Sequence, residues 1–228
     1  MITLYSYPEL FGLPDNNPYG LKIFAFLRLV KLPFTHEHIL DASQAPRGQL
    51  PYITDGAETV GDSDTIIAHL TKAYGLTIDD GLTMAHRDTR HLVGRMLDNL
   101  YWVMSYSRWK DPAVWPAFKS ALLKSGPGVT AAALEAAQAF NFQRYHFQGI
   151  GRFEPKDAYA RGLADLEVLA RLLPESGFVF GERPCSLDAS IYGFTANIYF
   201  HDIDTPLKRL IVSRPPIVAH CNAVRAAL

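Results

Sequence analysis

Cysteine is scarce: the 228 residues contain two, Cys185 and Cys221. They lie far apart with no Cys-x-x-Cys spacing, which argues against a disulfide-stapled secreted scaffold and suits a reducing, cytoplasmic setting. No cluster of basic residues neighbours either one, so both are expected to be inert buried thiols. Charge of one sign is also lacking. Lys and Arg total 22 against 23 Asp and Glu, for a net charge of −1, so there is no electrostatic footprint for nucleic acid. No apolar run approaches the ~18 residues of a membrane span, and no basic leader with a cleavage site precedes the strand-like run at Ile2. A metal site is not expected. His36 and His38 share one face of a predicted strand, but no third ligand is near them in sequence, and a surface strand is the simpler reading. Repeats and low-complexity tracts are missing as well. With 48% hydrophobic and 20% charged residues, the chain has the composition of a globular protein long enough for one large domain or two small ones.

Punctuation organises the N-terminal third. Ile2-Thr3-Leu4-Tyr5 reads as a strand, and a turn-rich loop leads to Asn17-Pro18-Tyr19-Gly20 and a helix that is apolar nearly all round and hence buried. Asn17 suits the N-cap, and Pro18 suits the first helical position, where its missing N–H costs nothing. Asn-Pro-Tyr-Gly stands where glutaredoxin-like proteins carry Cys-Pro-Tyr-Cys. Without those cysteines a mixed disulfide cannot form there, but the polarised helix start remains a site for an anion or thiolate. Residues 33–40 alternate like a second strand, parallel to the first because a helix connects them. Asp41 to Gly48 is a loop or poorly formed helix. Leu50-Pro51 opens a third strand, Asp55-Gly56 turns it into a fourth over Glu58-Thr59-Val60, and Asp62-Ser63-Asp64 starts a helix ended by Gly75. The order is β-α-β-loop-β-β-α, a thioredoxin-like fold.

Residues 76–83 read as a linker, and beyond them only helical patterns appear: His86 to Trp109, Trp115 to Lys124, Thr130 to Tyr145, Pro155 to Leu173 and Leu187 to Phe200. Gly126-Pro127-Gly128, Gly149-Ile150-Gly151 and Gly181-Glu182-Arg183-Pro184 separate them. The expected architecture is an α/β thioredoxin-like domain over residues 1–76 and an all-α domain over residues 84–228.

That architecture resembles the glutathione transferase superfamily, and three local motifs support it. Leu50-Pro51 resembles the family's cis-proline step, Asp62-Ser63 its acidic-Ser pair, and Cys185-Ser186-Leu187-Asp188 the capping box of a buried helix. Gln148-Gly149-Ile150-Gly151-Arg152, Gly181-Glu182-Arg183-Pro184, Leu187-Asp188-Ala189-Ser190 and Tyr101-Trp102 are similar to the branch containing failed-axon-connections proteins and metaxins. The chain departs from the pattern at Asn17, where many transferases place Ser or Cys; at Phe153-Glu154, where the branch often has His-Ser; and at Cys185, a poor cap acceptor, so that Ser186 is expected to cap instead with the box lost.

The resemblance implies a glutathione-binding protein, with glutathione as co-substrate, no metal, and a small hydrophobic electrophile as the second substrate. It implies a homodimer formed by the helices starting near Asp64 and His86, and, as the alternative, a transferase-like binding or interaction protein without turnover, since the branch includes interaction and import proteins. Leu50 would offer its backbone to the cysteinyl part beside cis-Pro51, unless the proline is trans at an edge strand. Asp62 and Ser63 would take the γ-glutamyl ammonium and carboxylate, or would only cap the helix. Asn17 first and Tyr7 second are the candidates to activate the sulfur, and Asp98 could reach the ligand of a partner subunit. Tyr101, Met104, Ser105, Arg108 and Trp109 recur at three- and four-residue spacing, so they line either a cleft for the electrophile or an interdomain contact. Tyr5 is expected in the core.

Overall fold

The structure is a computed structural model that describes residues 1–126 and 128–228; Pro127, in the expected Gly126-Pro127-Gly128 separator, lies outside the described residues. Among the described residues four strands, β1 (Ile2–Ser6), β2 (Phe34–His38), β3 (Tyr52–Asp55) and β4 (Glu58–Gly61), form one sheet in the order β2-β1-β3-β4. β1 and β2 are parallel, and the other two neighbouring pairs are antiparallel. Helix α1 (Pro18–Leu29) supplies the crossover that the parallel pair requires, and α2 (Ser63–Tyr74) follows β4. Alternation along β1 decides its two faces. Ile2 and Leu4 join Ile53, Leu21, Phe26, Ile66 and Leu70 in a core under both helices. Tyr5 points the other way and stacks on Tyr52, ring centroids 4.5 Å apart, beside Tyr7, Ala45 and Leu50.

The remaining α-helices among the described residues are α3 (Met84–Trp109), α4 (Trp115–Lys124), α5 (Ala131–Gln148), α6 (Pro155–Leu172), α7 (Ser186–Tyr199), α8 (Pro206–Val212) and α9 (Pro215–Ala227). The last two are absent from the sequence expectation. Pro206 and Pro215 each occupy a first helical turn, with Thr205 capping α8 through the Lys208 N–H. The box at Cys185 is a second correction. It survives with cysteine as its first member, because Asp188 accepts the Cys185 N–H at 2.8 Å. Ser186 does not cap; its hydroxyl and N–H go to Asp79, at 2.7 and 2.8 Å, which ties the expected linker to α7.

Helix α7 is buried along almost its whole length and serves two cores. Ala189, Tyr192 and Ala196 pack into the sheet core with Cys221 and Val224 of α9, while Leu187, Ile191, Phe194 and Ile198 face the helical core. Such a helix must be apolar all round. Gly193 lets it approach α1: a Cβ there would lie 2.4 Å from the Pro18 carbonyl oxygen and 2.9 Å from the Lys22 nitrogen. Gly193→Ala is therefore expected to lower the unfolding free energy by about 1–3 kcal/mol, an overpacking loss that outweighs the ~1 kcal/mol gain in helix propensity. Urea unfolding checks this, and a midpoint at or above that of the wild type would contradict the close approach.

Candidate functional site

The first turn of α1 is built from the short loop before it. Asn17 is its N-cap, with φ −108° and ψ 134°, and its Oδ1 accepts the Tyr19 N–H at 3.0 Å, which leaves the Nδ2 donors for the cavity that Asn17 lines. Beneath it Asp15 accepts the Asn17 N–H at 2.6 Å and packs against Gly20, where a Cβ would sit 1.6 Å from Asp15 Oδ2. Asp15 is fully buried and its Oδ2 has no hydrogen-bond partner among the described residues. Burial pushes its carboxyl up to about 8, against the opposing pull of Ser6, the Asn17 and Tyr7 N–H groups and Arg108. A neutral acid there leaves the positive end of α1 uncompensated. Arg108 braces the same loop. It donates to the Asn16 carbonyl at 2.8 Å, to the Asn197 carbonyl at 2.5 Å and to Asn197 Oδ1 at 3.2 Å, and burial draws its guanidinium down to about 10.

Around this turn lies a cavity of about 620 Å³ lined by Tyr7, Asn17, Leu50, Pro51, Asp62 and Ser63 together. The Leu50–Pro51 bond is cis. Asp62 does cap α2, accepting the Thr65 N–H and hydroxyl at 3.1 Å each, and it holds a left-handed φ of 73° that is unusual outside glycine. Ser63 Oγ accepts from Lys22 Nζ at 3.0 Å, and the same ammonium pairs with Asp64. With its oxygen engaged by a cation, the Ser63 hydroxyl proton is available to a carboxylate. Capping and ligand contact are thus compatible at this pair.

A second cavity, of about 340 Å³, takes in Tyr101, Met104, Ser105, Arg108 and Trp109. Tyr7, Asn17, Tyr101, Phe140 and Arg144 belong to both cavities, so the two meet at the start of α1. Burial raises the Tyr7 hydroxyl above its ordinary value, with Tyr101 and Asp15 adding to the effect, so it remains a neutral donor and not a base. Asp98 faces the larger cavity from α3 and accepts from the Tyr19 hydroxyl at 3.0 Å and from Arg95 at 3.1 Å. Tyr19, Arg95 and Arg144 line the candidate site, and Lys22 supports it through Ser63; sequence reasoning singled out none of these four for the site. None of the four carried a local signal, and Lys22 shares its helix with a second charge, Arg28.

The rings of His36 and His38 lie 4.2 Å apart, but their Nε2 atoms meet Ser6 Oγ and the Pro14 carbonyl, and among the described residues no group of three ligand-type side chains is placed to hold a metal. Burial raises both thiols, Cys221 to about 12. Among the described residues no helix is long and apolar enough to cross a membrane.

Comparison with known proteins decides the family. The profile of the glutathione S-transferase N-terminal domain matches residues 18–114, and that of the C-terminal domain residues 162–224. The chain is 30% identical to the isoprene-epoxide–glutathione S-transferase of Rhodococcus sp. (strain AD45), over 99% of its own length and 98% of the relative's. The chain belongs to the glutathione S-transferase family. Within it, the branch is the one with failed-axon-connections and metaxin relatives. Identity to Failed axon connections of Drosophila melanogaster is 29% over 99% of this chain and 57% of that protein; to Metaxin-1 of Homo sapiens it is 24% over 86% and 44%. A glutathione S-transferase of Ceriporiopsis subvermispora, solved in complex with glutathione, shares the fold with a TM-score of 0.63 at 14% identity, over 99% of this chain and 97% of that one. In this transferase family member a thioredoxin-like fold is followed by an all-helical part, the fold class that the sequence predicts.

Asp15 gives a pH signature. Its folded-state value near 8 lies above the ~3.9 of an unfolded aspartate, so its contribution to stability is fully present below about pH 4 and is lost as pH rises towards 8. Between about pH 6 and pH 8.5 the urea midpoint of the wild type is expected to fall more than that of Asp15→Asn. Parallel pH profiles for the two proteins would show that Asp15 is ionised in the fold throughout this range.

Proposed function

We propose that this protein binds glutathione in the larger cavity and conjugates its thiol to small hydrophobic electrophiles held in the smaller one. The observation that carries this reading is the shared wall: the candidate sulfur donors, Asn17 and Tyr7, stand where the two cavities join. In the larger cavity the Leu50 backbone takes the cysteinyl part beside cis-Pro51, Asp62 the ammonium, and the Ser63 hydroxyl the γ-glutamyl carboxylate. Asn17 Nδ2 is the first candidate to stabilise the thiolate and the Tyr7 hydroxyl the second. The thiolate then attacks the electrophilic carbon, a C–S bond forms, and the displaced group leaves with its electron pair. The name of the Rhodococcus relative makes an epoxide the first electrophile to try, where ring opening would put charge on oxygen. Residues 1–76 would be the glutathione domain and 84–228 the electrophile domain of a cytoplasmic detoxification enzyme. Homodimerisation through α2 and α3 is part of the reading, and the exposed Tyr74, Met84 and Leu92 on those helices favour it.

A second reading, a transferase-like binding or interaction protein without turnover, is favoured by Asn17 at the position of the usual hydroxyl or thiol and by the similarity to Failed axon connections and Metaxin-1. Calorimetric titration with glutathione, followed by an electrophile panel, separates the two. Removing a hydrogen bond to a charged group costs about 1.5–3 kcal/mol, so Ser63→Ala is expected to weaken glutathione binding roughly tenfold or more. An unchanged Kd in that variant would remove Ser63 from the site. Tight binding with no conjugation of any electrophile would favour the second reading.

A further inference from the structure

The two cavities differ in charge: among the described residues three aspartates and three arginines balance around the larger one, and the smaller one is lined by positive charge alone. The larger one is faced by Asp62, Asp64 and Asp98 as well as by arginines. Among the described residues lining the smaller one there is no Asp or Glu, yet two arginines are present, Arg108 and Arg144. These two are not equivalent. Arg108 is 7% exposed and its guanidinium is taken up by three oxygens of Asn16 and Asn197. Arg144 has one hydrogen bond, to Asn141 Oδ1 at 3.0 Å, one helical turn back on α5, and no carboxylate within ion-pair distance among the described residues. Its guanidinium lies 5.2 Å from the Trp102 ring centroid and 5.9 Å from that of Phe140, aromatic walls that hold it in place and thin its water.

We propose that the smaller cavity selects electrophiles bearing a carboxylate, and that Arg144 is the specificity-determining residue that binds this group. The inference rests on the conjugation reading for its reaction, but not for its ligand chemistry. A planar guanidinium matches a carboxylate through two parallel N–H···O bonds, and such a pair is stronger beside apolar walls than at an open surface. A neutral electrophile would leave the cation unpaired in a partly dehydrated place, whereas an anionic one relieves it. The position also orients the substrate. Arg144 stands in the shared wall with Asn17, so a carboxylate held there sets the attached carbon frame against Met104, Trp109, Phe118 and Leu134, within reach of a sulfur at the start of α1.

The test uses a matched pair, 4-(bromomethyl)benzoate and its methyl ester, at saturating glutathione. In each reaction the C–S bond forms as C–Br breaks, bromide leaves with the electron pair, and the thiol proton goes to solvent. The wild type is expected to prefer the acid in kcat/KM by about tenfold or more, the scale of one charge-assisted contact. Arg144→Gln should abolish that preference, and Arg144→Lys should restore part of it, since lysine keeps the charge without the fork. An ester preference in the wild type, or an acid-to-ester ratio that Arg144→Gln leaves unmoved, would overturn the proposal. Tryptophan-fluorescence titration with unreactive 4-methylbenzoate and its methyl ester reads the same contact without turnover. Weaker acid binding in Arg144→Gln with no conjugation by any variant would uphold the carboxylate site while refuting the transferase reading. Equal acid affinity in the wild type and Arg144→Gln would overturn the site itself.

Discussion

The close contact of α7 with the first turn of α1 is the constraint on which the rest depends. A helix start can act on a sulfur only if its N–H groups keep a fixed direction, and here that direction is set from both sides. Gly193 brings α7 against the Pro18 carbonyl and the Lys22 nitrogen. From below, Asp15 fits against Gly20 and holds the Asn17 N–H, while Arg108 ties the Asn16 carbonyl to Asn197 of α7. The two cores therefore meet at the place where the chemistry is proposed, and packing there serves stability and function at once.

Magnitudes indicate what such a turn can accomplish. A thiol at ~8.5 must fall by about two units to be mostly ionised near neutrality, roughly 2.7 kcal/mol. The helix dipole offers about 0.3–1 kcal/mol, and one well-aimed donor to the charged sulfur about 1.5–3 kcal/mol. Together these suffice, with no cysteine or catalytic hydroxyl from the protein. Neutral Asp15 matters for the same reason, because an ionised carboxylate behind the turn would oppose the thiolate. Its raised value keeps that charge away over much of the neutral range.

Much of the fold was legible because each element is bounded by residues with one conformational meaning. Asn17-Pro18 starts α1, Gly56 turns β3 into β4 with φ 62°, and Gly75 ends α2 with φ 59°. Helices α8 and α9 were not legible because proline marks both the first turn of a helix and its interruption, and α8 spans only Pro206–Val212. At the candidate site, Leu50, Pro51, Asp62 and Ser63 could be singled out because each belongs to a short local motif, and one cavity brings them together. Lys22 and Arg144 could not. The meaning of Lys22 lies in Ser63 and Asp64 on another helix, and that of Arg144 in a cavity whose other arginine is already satisfied. Cys185 shows the opposite error: a locally poor cap was overruled by Asp188, which also accepts the Val179 N–H and meets His220, so tertiary structure fixes the box.

The central claim is that the start of α1 stabilises a glutathione thiolate. The most direct measurement is the ultraviolet absorbance of the bound thiolate as a function of pH, in the wild type and in Asn17→Ala. The account predicts a bound-thiol pKa about two units below that of free glutathione in the wild type, rising by about one unit or more in Asn17→Ala. A thiol that titrates in the wild-type complex as it does in free solution would contradict it.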